Sequence, residues 1–152
     1  MKSKYLPNEF KIVCVRDCVA TELIENPEQA VKYWRDNIPG APWFDQMKEA
    51  VVVLVLNTRK RILGHNLVAI GSLDTCPVVP REVFKPAIVQ SASSIILAHN
   101  HPSGDPSPSE ADIKVTRDLI RAGQLLKIEI TDHIIIGSLD QHSSLRALGY
   151  FY

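Results

Sequence analysis

The stretch SIILAHNHPSGDPSPSEADIKV, residues 94–115, holds the information that decides the fold and points to the chemistry. Ser94 to Ala98 is a short apolar run of the kind that fills a central strand, and it ends directly on His99. A loop with three prolines and a glycine follows. The sequence then predicts a helix from about Glu110 to Ala122, closed by Gly123 just beyond its end. A strand emptying into a polar loop that leads to a helix is where sheets covered by helices place their sites, at the carboxyl end of the strand.

Working outward, Ile128 to Ile136 reads as the last clear strand, and the tail SSLRALGYFY as a short turn or helix packing back. Upstream, Pro80 to Gln90 reads as a helix, with Pro86 removing one backbone donor and introducing a kink. Val51 to Leu56 (VVVLVL) is a buried strand, Asn57 to Lys60 a polar turn, and Ile62 to Ile70 a longer partner, together a hairpin. Before the hairpin, NIPGAPWF (residues 37–44) breaks the chain with two prolines and a glycine. Asn26, Pro27 and Glu28 supply a cap, a proline at the first helical position and an early acid, so a helix is expected to run to about Asp36. Phe10 to Val15 reads as a first strand. Strands and helices interleave, which predicts an α/β (α+β) chain with a mixed β-sheet flanked by helices on both faces. Residues 1–46 are expected to be a short strand-helix extension packed on a domain of residues 47–152.

Composition narrows the functional classes. The 152 residues, 45% hydrophobic and 22% charged, suffice for one cored domain. Lys plus Arg equals Asp plus Glu at 17 each, so the chain lacks the basic excess that drives binding to nucleic acid or an anionic membrane. The N-terminus carries no apolar signal-like segment, and the longest apolar run, Val51 to Leu56, is far too short to span a bilayer. Cys14, Cys18 and Cys76 form neither an even framework nor a CxxC pair, which suits a reducing compartment, and they read as small buried apolar residues. A soluble, cytoplasmic protein is the expectation.

Three metal-ligand side chains fall within fourteen residues: His99, His101 and Asp112. Residues two apart on a strand face the same side, so His99 and His101 can present two imidazoles to one ion. Asp112 would add an oxygen from the following helix, leaving a fourth tetrahedral position open for water, as a catalytic zinc site requires. Asp112 also has a plainer explanation, because Ser109-x-x-Asp112 ahead of a helix is close to a capping box. The two roles are compatible, with Ser109 capping while Asp112 points outward. For a lone histidine a polar strand end would suffice as explanation; two of them at the mouth of a proline-stiffened loop favour a site.

His-x-His, seven residues, Ser, two residues, Asp, carried here by His99, His101, Ser109 and Asp112, strongly resembles the JAMM metalloprotease signature of JAB/MPN domains in their bacterial RadC-like branch. The similarity extends from about Glu49 to Gly149 and includes LNTRKRILGHNL, PREVFKPAI and TRDLIRAGQLLKIEITDHIIIG. The resemblance implies a JAB/MPN fold, one zinc ion per chain on His99, His101 and Asp112, and Ser109 steadying an oxyanion. It also implies an upstream glutamate as general acid/base. Glu49, just before VVVLVL, is the favoured position for that glutamate and Glu82 the rival. The implied activity is zinc-dependent hydrolysis of an amide or isopeptide bond, with a peptide or an isopeptide-linked protein as substrate. Such a zinc ion lowers the pKa of bound water to roughly 7, and a nearby hydroxyl can bond the oxygen that becomes negative.

The chain departs from the branch in two places. Residues 1–46 do not fit the helix-hairpin-helix region that RadC-like proteins commonly carry, which speaks against a DNA-repair role. Val79 stands before Pro80 where the branch usually has a histidine. Asp132-His133 reads as a satisfied core or edge histidine, with a partner of the site as the alternative, and Trp43 and Phe44 read as packing between the N-terminal unit and the domain, with a substrate groove as the alternative. The contiguous string His99-Asn100-His101 is not an HNH nuclease motif, whose letters are spread over a hairpin and helix. A zinc deaminase would need His-x-Glu and a later Pro-Cys-x-x-Cys, which are missing. The alternatives that remain are a non-catalytic MPN scaffold and a DNA-associated RadC-like protein.

Overall fold

A computed structural model describes residues 22–71 and 78–152. The expected strand at Phe10 to Val15 and all three cysteines lie outside the described residues. Helix α1 (Pro27–Asn37) starts as its sequence demands, with the Asn26 side chain accepting from the Gln29 N–H and Pro27 opening the first turn. Strands β1 (Glu49–Leu56) and β2 (Ile62–Gly71) form the hairpin. Helix α2 (Pro80–Val89) then leads to β3 (Ser94–Asn100), helix α3 (Glu110–Leu126) and β4 (Glu129–Ile136). The chain ends on a short β5 (His142–Ser144) and a turn.

The five strands form one mixed sheet in the order β2-β1-β3-β4-β5. β1 runs antiparallel to both β2 and β3, while β3 and β4 are parallel and are joined through α3. The period of two along β1 splits its side chains between two cores. Ala50, Val52, Leu54 and Leu56 join Ile96, Ala98, Ile134 and Ile136 under α1, whose Ala30, Val31, Tyr33 and Trp34 close that face. Val51, Val53 and Val55 join Ile95 and Leu97 under α2 and α3, against Val83, Phe84, Ala87 and Leu119. Helices thus cover both faces, as an α/β sheet apolar on both sides requires. Trp43 and Phe44 pack against the α1-side core, with Phe44 edge-on to Trp34.

The end of α3 differs from expectation, whereas α2 keeps its expected span. α3 does not stop before Gly123 but continues to Leu126, where Lys127 takes the left-handed cap conformation (φ 58°). Gly123 is needed inside the helix for space, because a Cβ there would lie 2.5 Å from the Ile128 carbonyl oxygen and 3.3 Å from the Phe84 ring. Helix α2 runs through Pro86 from Pro80 to Val89; three buried side chains, Val83, Phe84 and Ala87, hold it to the sheet despite the missing donor. Among the described residues, no helix is long and apolar enough to cross a membrane.

Candidate metal centre

The same alternation that builds the two cores assembles the site. Val51 pairs directly with His99 across β1 and β3. Glu49, two residues before Val51, and His101, two residues after His99, therefore continue the same α3-facing rows past the edge of the core. The apolar side chains end where these begin. Glu49, His99 and His101 each offer one ligand atom, and those atoms all lie within 4.8 Å of one another. His99 is fully buried, and the side chains of His101 and Glu49 are 13% and 20% exposed.

Asp112 reaches the same point from α3. Its Oδ1 lies 3.2 Å from His99 Nε2 and its Oδ2 3.3 Å from His101 Nε2, while the two Nε2 atoms are 3.0 Å apart. Glu49 Oε1 stands farther off, 3.8 Å from His101 Nε2. Asp112 also completes the capping box: Oδ2 accepts from the Ser109 N–H at 2.8 Å, and Ser109 Oγ accepts from the Asp112 N–H at 3.1 Å. One carboxylate performs both tasks. Asp112 is 1% exposed, so it points into the centre and not outward, and Oδ1 is the oxygen left free of the cap. Ser109 lends its oxygen to the cap as acceptor and keeps its hydroxyl proton for another partner.

Each histidine is fixed at its other nitrogen. His101 Nδ1 donates to the Asp105 carbonyl at 2.8 Å, so the neutral ring carries its lone pair on Nε2, facing the centre. His99 Nδ1 lies 2.9 Å from Nε2 of His133 on β4. His133 is 1% exposed, so it is a core histidine, as favoured from sequence, and at the same time the direct neighbour of His99. The loop between them is tied down: the His101 N–H donates to Ile136 and the Gly104 N–H to the His101 carbonyl. Gly104 is required there, with φ at 84° and an added Cβ 2.9 Å from Ser138 Cβ.

Electrostatics follow the geometry. Burial on its own would raise the Asp112 carboxyl, but the hydrogen bond that His101 gives it when that ring is protonated, and after it the His99 ring beside it, outweigh burial in the metal-free chain and hold the group far below the usual carboxylate range. The same hydrogen bond to Asp112, more than any other cause, raises His101 above the usual histidine range. Burial holds His133 well below that range, so it is neutral at pH 7. Two imidazole nitrogens and a carboxylate converging at 3.0 to 3.3 Å match the ligand separations of ~3.3 Å expected around a tetrahedral zinc with ~2.0–2.1 Å bonds. The donor set fits a divalent cation of that kind.

Glu82 is elsewhere, with Oε2 bound to Lys85 Nζ at 2.6 Å on α2. Val79 caps α2 without a side-chain hydrogen bond.

The chain matches the RadC-like JAB domain over residues 24–150. It belongs to that family. Relatives named UPF0758 protein include one from Chlorobaculum parvum, 48% identical over 120 residues, covering 79% of this chain and 52% of the relative. Another from Methanosarcina mazei is 51% identical over 106 residues, covering 70% of this chain and 46% of the relative. A third, from Caldanaerobacter subterraneus subsp. tengcongensis, is 52% identical over 104 residues, covering 68% and 44%. The chain thus spans about half the length of these curated relatives. The mixed sheet with helices on both faces agrees with the JAB/MPN fold, and within this RadC-like JAB domain the possible metal-binding group is Glu49, His99 and His101, with Asp112 against both histidines.

Two contributors had not been singled out from sequence. Asn100, between the two histidines, points to the opposite face of β3 and binds the backbone around Glu49, accepting from the Ala50 N–H at 2.8 Å and donating to the Lys48 carbonyl at 3.0 Å. Thr116, one helical turn after Asp112, lies with Oγ1 2.7 Å from His133 Nδ1. The i, i+4 spacing of Asp112 and Thr116 was a usable signal for the second.

Proposed function

We propose that this chain is a zinc-dependent hydrolase of the JAMM type, cleaving an amide or isopeptide bond in a peptide or protein substrate. The observation that carries the reading is the convergence of His99, His101 and Asp112 on one point with Glu49 just beyond it. Asp112, within 3.3 Å of both Nε2 atoms and fully buried, is the third ligand; Glu49, 3.8 Å from His101 Nε2 and partly exposed, is the acid/base. Zinc held there supplies Lewis acidity and acidifies a water to a pKa of roughly 7.

The chain's own groups do the rest. Glu49 takes a proton at its carboxylate and returns it to the leaving amine, a role open to a carboxylate that is close to the site without being a ligand. Ser109 Oγ, which accepts at the cap, keeps a proton to donate to an oxyanion. Asp105 and Asp112 hold His101, and the β1–β3 pairing holds Glu49 against it. The absence of a net charge favours a protein substrate over nucleic acid.

The test is a cleavage screen with peptide and isopeptide libraries, run with zinc-loaded protein, with chelator, and with Glu49→Gln. Cleavage that needs both metal and Glu49 is expected. Metal-dependent cutting of duplex DNA with no peptide cleavage would refute the reading.

A further inference from the structure

We propose that Thr116 and His133 are positioning residues that set the tautomer of His99, so that its Nε2 presents a lone pair to the metal centre; this rests on the zinc reading above. Three hydrogen bonds run in series from helix α3 to the centre. Thr116 Oγ1 lies 2.7 Å from the Asp112 backbone carbonyl and 2.7 Å from His133 Nδ1, and His133 Nε2 lies 2.9 Å from His99 Nδ1. All four residues are buried.

The direction of every bond follows from the first. A carbonyl oxygen only accepts, so the single hydroxyl proton of Thr116 goes to Asp112. Thr116 Oγ1 must then accept from His133, which places the His133 proton on Nδ1. A neutral imidazole carries one N–H, so His133 Nε2 is an acceptor, and His99 Nδ1 must be the donor. The remaining nitrogen of His99, Nε2, is left with its lone pair 3.2 Å from Asp112 Oδ1 and 3.0 Å from His101 Nε2. His101 reaches the same state by donating Nδ1–H to the Asp105 carbonyl. Two lone pairs and a carboxylate then face one point, an arrangement that repels itself unless a cation sits between them.

The chain starts and finishes on one residue. Asp112 accepts the Thr116 proton at its backbone and contributes its side chain to the centre, so the turn of α3 that delivers the carboxylate also sets the protonation of the histidine opposite. Without the Thr116 oxygen, His133 has no acceptor at Nδ1 and its proton moves to Nε2. That proton would be donated to His99 Nδ1, and the His99 proton would go to Nε2, into the centre where the metal belongs.

The experiment compares full-length wild type, Thr116→Val and Thr116→Ser by zinc affinity, measured in competition with a chromophoric chelator, and by ring-nitrogen NMR of the zinc-loaded wild type. Thr116→Val keeps the side-chain volume and is expected to weaken zinc binding by ~10–100-fold, the usual cost of losing an outer partner of a ligand. Thr116→Ser restores the oxygen and is expected to restore the affinity. The NMR spectra should place the His133 proton on Nδ1. A wild type that binds zinc while Thr116→Val binds it equally well, or a His133 proton on Nε2, overturns the relay alone. A wild type that binds no zinc overturns the proposed function instead.

Discussion

The Asn100 side chain accepts from the Ala50 N–H at 2.8 Å and donates to the Lys48 carbonyl at 3.0 Å, so β3 grips β1 by the two peptide groups that flank Glu49. His99 and His101 lie on one face of β3, and the residue between them uses the other face to hold the glutamate's backbone in register. Asn100→Ala would leave the buried Ala50 N–H and the part-buried Lys48 carbonyl without this partner, at about 1–3 kcal/mol for an unsatisfied buried group. We expect a lower melting temperature, zinc content unchanged, and hydrolysis reduced well beyond the change in folded fraction. Unchanged hydrolysis in a folded, zinc-loaded Asn100→Ala chain would remove Asn100 from the positioning of Glu49.

Glu49 and Glu82 separate ligand from acid/base. Glu49→Gln should keep about one zinc per chain, since three ligands and a water complete the site, yet lose at least the ~10²-fold typical of a missing general base. Glu82→Gln, which breaks exposed pairs with Lys85 and Arg81, should stay near wild type. Zinc loss in Glu49→Gln would make Glu49 a ligand and require the roles of Glu49 and Asp112 to be exchanged.

The pH dependence should reverse sign with metal. In the chelator-treated chain His101 has a raised pKa, chiefly through its hydrogen bond to Asp112. A raised histidine binds more protons folded than unfolded, so its stabilisation is complete below the unfolded value of ~6.5 and is lost as pH rises through the folded value. His133, depressed by burial, has the opposite slope, so the His101 contribution must be read as a difference between wild type and His101→Gln. That difference in chelator should be largest in mild acid and vanish in base. Zinc affinity should instead rise with pH, because protons compete for the same Nε2 atoms. A wild-type advantage that grows with pH in chelator would contradict this assignment of charges.

Duplex DNA should bind weakly and with a shallow salt dependence, because 17 basic residues are matched by 17 acidic ones. A fluorescence titration at two salt concentrations measures it. Tight binding at physiological salt, with a steep slope, would restore the DNA-associated reading.

The hairpin, the central strand running into His99 and the start of α3 were legible because each rests on local rules: apolar runs of strand length, a polar turn, and a cap followed by an acid. The end of α3 was not, because Gly123 reads as a terminator in sequence whereas its cause is the approach of Phe84 from α2 and of the Ile128 carbonyl where the chain turns back past the helix end. The cluster of His99, His101 and Asp112 was visible from spacing, but the inward turn of Asp112 depends on the α3 axis, which no local pattern gives. His133 and Asn100 act across strand pairings. Their partners, His99 and Ala50, are 34 and 50 residues away.

Zinc stoichiometry tests the central claim most directly. Elemental analysis of freshly purified wild type should give about one zinc per chain, and the double variant His99→Ala, His101→Ala should give none while remaining folded, since it removes two of three ligands. A double variant that still carries a full equivalent of zinc would contradict the assignment of the centre to these residues.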